Sequence, residues 1–234
     1  MSLHLPNITL LSIDTIDPRR SIKAMQYSML QVKFGAAVLV TSAKKYDPSM
    51  LKPIGGRGRI DQIRVEFVPD GPRQEYERQI ICDLPRWFST DFCLFQEWDS
   101  AVVNSAAWSP MFLAYDFIGA PWPYDFHEVG YPPCTANNCV GNGGFSLRSR
   151  RFAQATGEMF GKSPEKQAAL RLSDAWICRT IRPYLEDALG LTFATEEDAA
   201  RFSCENRFYN GQFGIHGKNT IAMNGWKWDF DWLR

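Results

Sequence analysis

Ile8-Thr9-Leu10-Leu11-Ser12-Ile13 runs into Asp14-Thr15, and Ala36-Ala37-Val38-Leu39-Val40-Thr41 repeats the pattern after an amphipathic stretch, Arg19 to Val32. Two short apolar runs around a segment of helical periodicity predict a β-α-β unit, which implies neighbouring parallel strands. In open α/β sheets ligands gather at the carboxyl ends of the strands, so Asp14, Thr15, Thr41 and Ser42 are placed near a nucleotide pocket. The same four residues serve equally well as helix caps and turn formers.

Working outward, Pro53 to Gly58 reads as a glycine-rich basic loop, and Ile63 to Val68 as a short strand closed by Pro69-Asp70-Gly71-Pro72. Gln74 to Leu84 has a helical pattern. Phe92-Cys93-Leu94-Phe95 is a buried strand that runs directly into Gln96-Glu97-Trp98-Asp99, and Ala101 to Asn104 resumes as an apolar strand. Polar groups that interrupt a central strand are costly to bury without partners, so this break marks residues placed for use. Pro121 to Asn138 has neither period and reads as a binding loop or lid. Arg150 to Phe160 and Ser173 to Leu189 read as helices, the second broken at Pro183. Leu191 to Ala194 reads as a strand, with Thr195 capping a helix that opens on Glu196-Glu197-Asp198.

With 234 residues, 45% of them hydrophobic, the chain can bury one sizeable core and is expected to form a single α/β domain. Lysine plus arginine equal aspartate plus glutamate at 26 each, which removes the positive field that nucleic-acid binding needs. Met1 to Leu11 lacks a basic leader and no apolar run approaches the ~20 residues that cross a bilayer, so a cytoplasmic protein is expected. The six cysteines have no paired spacing for zinc and read as buried free thiols, with a bridge or metal site at Cys134 and Cys139 the weaker alternative.

Gly141-Asn142-Gly143-Gly144 precedes the alternating Phe145-Ser146-Leu147-Arg148. That order is not the strand, glycines, helix of a dinucleotide or P-loop site. Glycines here would let the backbone take positive φ and bring a ligand close to the main chain, with Asn142 offering donor and acceptor; a tight hairpin turn accounts for them equally well. Glu97 and Asp99 offer carboxylates to a hard cation such as Mg²⁺ or Mn²⁺. Phe213-Gly214-Ile215-His216-Gly217 puts one of three histidines among glycines, where a ligand can approach; a structural histidine is the plainer reading. Asp174 follows Ser173 at a helix start, where capping is a sufficient explanation on its own.

Tyr115-Asp116-Phe117-Ile118-Gly119-Ala120-Pro121-Trp122 and Val140 to Ser149 are similar to the signatures of a bacterial domain family of GT-A-type glycosyltransferases. The resemblance extends through Gln96 to Asn104 with Trp108, Asp174 to Cys178, Ala199 to Glu205 and Phe213 to Gly217, covering about residues 5 to 218. It implies a Rossmann-like mixed central sheet flanked by helices, with a donor half over about 5–105, an acceptor half over about 106–218 and an aromatic tail over 219–234.

It also implies site residues. Asp99 matches a strand-end aspartate and His216 a late histidine, so Asp99 and His216, with Glu97, would hold Mn²⁺ or Mg²⁺. Asp174 matches the aspartate of a Glu-Asp pair, with Ser173 in the glutamate's place, and is the catalytic candidate. Asp14, Thr15, Gln96, Trp122, Asn142, Gly143 and Gly144 are the donor and acceptor candidates. The implied partners are a nucleotide sugar, UDP-sugar favoured, and a saccharide or lipid-linked acceptor in bacterial surface polysaccharide synthesis. A non-catalytic sugar-binding protein of the same fold is the rival. The aromatic run Trp226 to Trp232 would either touch a membrane peripherally, a lipid-linked acceptor or a partner, or dock as a tail that seals the core.

Overall fold

The computed structural model describes residues 3–52, 62–161 and 172–226. The expected loop over Pro53 to Gly58 and residues 227–234 of the aromatic tail lie outside them. The β-α-β opening is present: β1 (Leu3–Asp14), α1 (Pro18–Gln31) and β2 (Val32–Ser42), with β1 and β2 parallel and Asp14 level with Thr41. Leu10, Leu11, Leu39 and Val40 are fully buried, as strands covered on both faces must be.

The main sheet adds β3 (Ile63–Val68) beside β2 and β4 (Phe92–Gln96) beside β1, both parallel. Between them come α2 (Arg73–Ile81) and α3 (Leu84–Trp87). β5 (Ser100–Val102) leaves this sheet, and β6 (Phe117–Gly119) and β7 (Phe145–Ser149) complete it, giving the order β3-β2-β1-β4-β7-β6 with β7 antiparallel to both neighbours. The result is a mixed sheet in an α/β fold flanked by helices. α4 (Arg150–Gly161) follows β7 directly and buries Phe152, Ala153 and Phe160.

A second, three-stranded sheet brings distant segments together. β8 (Ser203–Glu205) lies parallel to β9 (Gly214–His216), which pairs antiparallel with β5, so Ser100, His216 and Glu205 stand side by side. An aromatic cluster of Phe145, Phe202 and Phe213, with ring centroids 5.4–6.2 Å apart, joins this small sheet to the large one. Gly214 is required there: a Cβ would stand 2.1 Å from the Phe145 ring.

Several expected boundaries shift. The Gln74 to Leu84 helix is divided between α2 and α3. The Ser173 to Leu189 helix is three pieces: α5 (Ser173–Ala175), a π-helical turn Trp176–Thr180, and α6 (Arg182–Asp187), whose first turn accommodates Pro183. Leu191 to Ala194 is not a strand; among the described residues its pairing is one bridge, Phe117 to Phe193. α7 (Glu196–Phe202) starts as expected, the Asp198 N–H donating to Thr195 Oγ1 at 3.2 Å, and α8 (Lys218–Met223) follows β9. All six cysteines are free, five of them buried. No described helix is long and apolar enough to cross a membrane.

Candidate active site

The turn after β4 carries Glu97 and Asp99, and it is locked from both sides. The Glu97 N–H donates to Gly144 O at 2.7 Å, the Ser100 hydroxyl donates to the same carbonyl at 3.0 Å, and the Gly217 N–H donates to Asp99 O at 3.0 Å. The pairing of β5 with β9 then sets His216 against this turn. Its Nε2 lies 3.5 Å from Glu97 Oε2 and 3.5 Å from Asp99 Oδ1, while its Nδ1 lies 3.0 Å from Glu205 Oε1.

Charge follows from this crowding. Burial works against the imidazolium, but Glu205, Glu97 and Asp99 hold its proton and raise the His216 pKa well above its ordinary value. Burial likewise works against Glu97 ionisation, yet His216, the Tyr76 hydroxyl donating at 2.5 Å and Arg73 together pull that carboxyl down to about 2. Asp99 is shifted the other way: burial raises it, Glu97 adds to the shift and His216 opposes it.

Glu97, Asp99 and His216 can each turn one ligand atom towards a common point, these atoms lying within 4.8 Å of one another. The chemistry suits a cation. Three carboxylates face one imidazole, leaving excess negative charge, and Asp99 Oδ1 is buried without a hydrogen-bond donor. The space beside the ring is kept by Gly144, where a Cβ would stand 2.1 Å from His216 Nε2.

The glycine segment therefore works by close approach, not by unusual backbone: none of Gly141, Gly143 and Gly144 has positive φ, contrary to expectation. Nor is it a tight hairpin turn, since β6 and β7 are joined by the whole of 120–144. A Cβ on Gly141 would enter the Trp122 ring at 2.3 Å, and one on Gly143 would meet Asp174 Cβ at 3.0 Å. The Gly143 N–H donates to Asp174 Oδ2 at 3.2 Å, so Gly143 and Gly144 separate Asp174 from His216.

Asp174 receives a second bond, from the Ala175 N–H at 2.7 Å. Burial nonetheless dominates and, with Glu77 and Glu205 nearby, raises its pKa to about 6 despite both backbone donors. Glu77 of α2 reaches the same region: its side chain is fully buried, paired with Arg73, and accepts from the Ser173 N–H at 3.2 Å. A carboxylate from another element thus stands beside Ser173.

A pocket of about 200 Å³ opens beside Glu97, lined among others by Asp14, Thr15, Arg20, Arg73, Tyr76 and Trp98. Asp14 also serves the local turn, accepting from the Ile16 and Asp17 N–H groups at 2.9 Å and from the Ser21 hydroxyl at 2.8 Å. Thr41 donates to Asp14 O across the β1 and β2 pair, and Ser42 accepts from the Lys44 N–H, so only Ser42 acts as a turn former. A larger cavity of about 680 Å³, lined by His4, Lys33, Phe34 and Gln62 among others, has no carboxylate in its wall among the described residues and lies where β2 begins.

Two candidates are placed elsewhere. Gln96 is wholly buried, accepting from the Ser28 hydroxyl at 2.7 Å, and cannot reach a ligand without rearrangement. Trp122 is buried too, stacked on Phe126 and covered by the Arg179 guanidinium 4.4 Å from its ring centre, so it offers no free face to a sugar. Conversely, Tyr76, Glu77 and Glu205 are not singled out by the sequence. Each is an ordinary residue of a helix or strand until the chain folds.

A family model described as "Protein of unknown function (DUF5672)" matches residues 84–216, more than half of the chain. The chain belongs to the DUF5672 family. The matched span runs from α3 to His216 and contains Glu97, Asp99, Asn142 to Gly144, Asp174, Glu205 and His216, whereas the pocket residues of β1 and α2 precede it. No curated protein matches the sequence. Among solved structures, the crystal structure of the galactosyltransferase LgtC in complex with donor and acceptor sugar analogues is similar at a TM-score of 0.56 and 11% identity, over 90% of this chain and 87% of that one. That similarity shows the fold, a GT-A glycosyltransferase architecture.

Asp174 titrates near 6 folded and near 3.8 unfolded. Below about pH 4 it is neutral in both states and costs nothing; between about 4 and 6 only the unfolded chain releases the proton, so stability falls as pH rises; above 6 the full cost applies. Asp174→Asn is therefore expected to favour the folded state by up to about 2–3 kcal/mol more at pH 7–8 than near pH 4, over a pH-independent cost, since its amide nitrogen cannot accept from one of the Gly143 and Ala175 N–H groups. Denaturant unfolding at both pH values checks this; an effect that is the same at pH 4 and pH 8 contradicts it.

Proposed function

We propose that the protein is a glycosyltransferase that moves a sugar from a nucleotide-sugar donor to a saccharide or glycolipid acceptor. The observation that carries this reading is the gathering of Glu97, Asp99 and His216 beside a pocket at the carboxyl ends of β1 and β4, with Asp174 across the glycine wall. The LgtC complex, which holds donor and acceptor sugar analogues on the same fold, supports it.

In the transfer, the bond between the anomeric carbon and the phosphate oxygen breaks, its electron pair leaving on the diphosphate. The acceptor oxygen bonds to the anomeric carbon and gives up its proton. Arg20 and Arg73 line the donor pocket and can meet phosphate oxygens, with Asp14 and Thr15 at its floor. A divalent cation, Mn²⁺ or Mg²⁺, held by Glu97, Asp99 and His216 would neutralise charge on the leaving diphosphate. Asp174, raised towards neutrality, suits the acceptor hydroxyl as base or hydrogen-bond partner. The glycines leave the wall between them bare.

The rival reading, a non-catalytic sugar-binding protein, rests on Ser173 in the glutamate's place and on the aromatic residues Trp122, Tyr124 and Phe126; the burial of Trp122 weakens the second ground, while Tyr124 is exposed. A UDP-sugar as donor, a role in bacterial polysaccharide synthesis and action at the cytoplasmic face of a membrane belong to the same proposal.

Calorimetric titration with UDP-, GDP- and CMP-sugars tests it. Tighter donor binding with Mn²⁺ than without is expected, together with turnover that Asp174→Asn lowers about 10²–10⁴-fold while donor affinity is retained. Equal affinity with and without Mn²⁺ contradicts the metal; donor binding without turnover on any acceptor returns the binding module. Gly144→Ala is expected to weaken Mn²⁺ binding at least tenfold in a folded protein, since its methyl takes the space at His216 Nε2; unchanged Mn²⁺ affinity contradicts that placement.

A further inference from the structure

The geometry points to Glu205 as a positioning residue that turns the Nε2 of His216 towards Glu97 and Asp99 and couples that ring to the glycine wall. This rests on the metal reading above. The two ring nitrogens point in opposite directions, so a carboxylate at Nδ1 cannot share an ion with Glu97 and Asp99 at Nε2. It can only hold the ring. A carboxylate on the outer nitrogen fixes the tautomer and orientation of a ligating imidazole and increases its basicity.

Glu205 is itself held at both oxygens. Oε1 meets His216 Nδ1 at 3.0 Å, and Oε2 accepts from Asn142 Nδ2. Asn142 Oδ1 in turn accepts from the Gly144 N–H at 3.2 Å, so the chain Gly144, Asn142, Glu205, His216 is continuous. Pairing sets the register, Glu205 standing opposite His216 across β8 and β9.

The strand ends at once after Glu205. Asn206 takes a left-handed backbone, φ 49°, a conformation that asparagine tolerates better than most residues, and its N–H donates to the fully buried Thr220 hydroxyl at 2.7 Å. The carboxylate therefore sits on a short, anchored element and has little freedom to follow the ring. Neither Glu97 nor Asp99 meets Nδ1, so removal of Glu205 leaves that nitrogen without its carboxylate.

The test compares wild type, Glu205→Ala and Glu205→Gln, each first shown to be folded by thermal unfolding. Mn²⁺ alone is titrated by calorimetry at one pH. Glu205→Ala is expected to lose about 10–100-fold in Mn²⁺ affinity, and Glu205→Gln, which keeps an acceptor for Nδ1–H, to lose less. Affinity within twofold of wild type in Glu205→Ala overturns the role while leaving the metal reading intact, whereas no Mn²⁺ binding by the wild type sinks the metal reading itself. A crystal structure of metal-free Glu205→Ala decides the positioning separately: a rotated His216 ring supports it, and a ring still turned to Glu97 and Asp99 overturns it.

Discussion

Everything at the candidate site depends on one constraint, the placing of a single half-buried imidazole among three carboxylates. Isolated carboxylates at this depth would repel one another and pay heavily for lost water. His216 relieves that repulsion by keeping its proton, and the Tyr76 hydroxyl and Arg73 take up part of the charge on Glu97. The small sheet holds this arrangement in register, since β5, β8 and β9 each deliver or adjoin one charged member. A cation that displaced the imidazole proton would satisfy the same carboxylates in another way, which makes the cluster a natural site for one.

The glycine wall connects this cluster to Asp174. Gly143 and Gly144 face opposite neighbours: a Cβ on Gly144 would stand 2.1 Å from His216 Nε2 and is excluded, while one on Gly143 would be a tight fit 3.0 Å from Asp174 Cβ. Their carbonyls are engaged as well: Gly144 O receives Glu97 and Ser100, and Gly143 O receives Ser146 and Arg148. Helix α2 ties the other side, since Tyr76 reaches Glu97 while Glu77, one residue on, reaches the Ser173 backbone. The carboxylate and histidine cluster, the glycine wall and Asp174 are thus joined through hydrogen bonds, with Arg73 lining the adjoining pocket.

The opening β-α-β unit, β3, β4, α4 and the Thr195 cap were legible because each is written in local periodicity or capping chemistry. The Leu191 to Ala194 segment was not, because an apolar run becomes a strand only with a neighbour to pair with, and β6 is met at one residue alone. The gathering of Glu97, Asp99 and His216 was accessible only through the resemblance, as 117 positions separate the histidine from Asp99 and no local rule pairs them. Glu205 and Glu77 were invisible for the same reason. Gln96 and Trp122 misled because a polar residue at a strand end and an aromatic one in a loop look exposed in sequence, while packing against Ser28 in one case and Arg179 in the other buries them.

The most direct measurement is a crystal structure of the protein with a nucleoside diphosphate and Mn²⁺, with anomalous scattering recorded to locate the metal. One manganese peak bound by Glu97, Asp99 and His216 is expected, with the diphosphate on it and the nucleoside in the pocket beside Asp14 and Thr15. Manganese bound elsewhere, or a nucleotide seated away from that pocket, would contradict it.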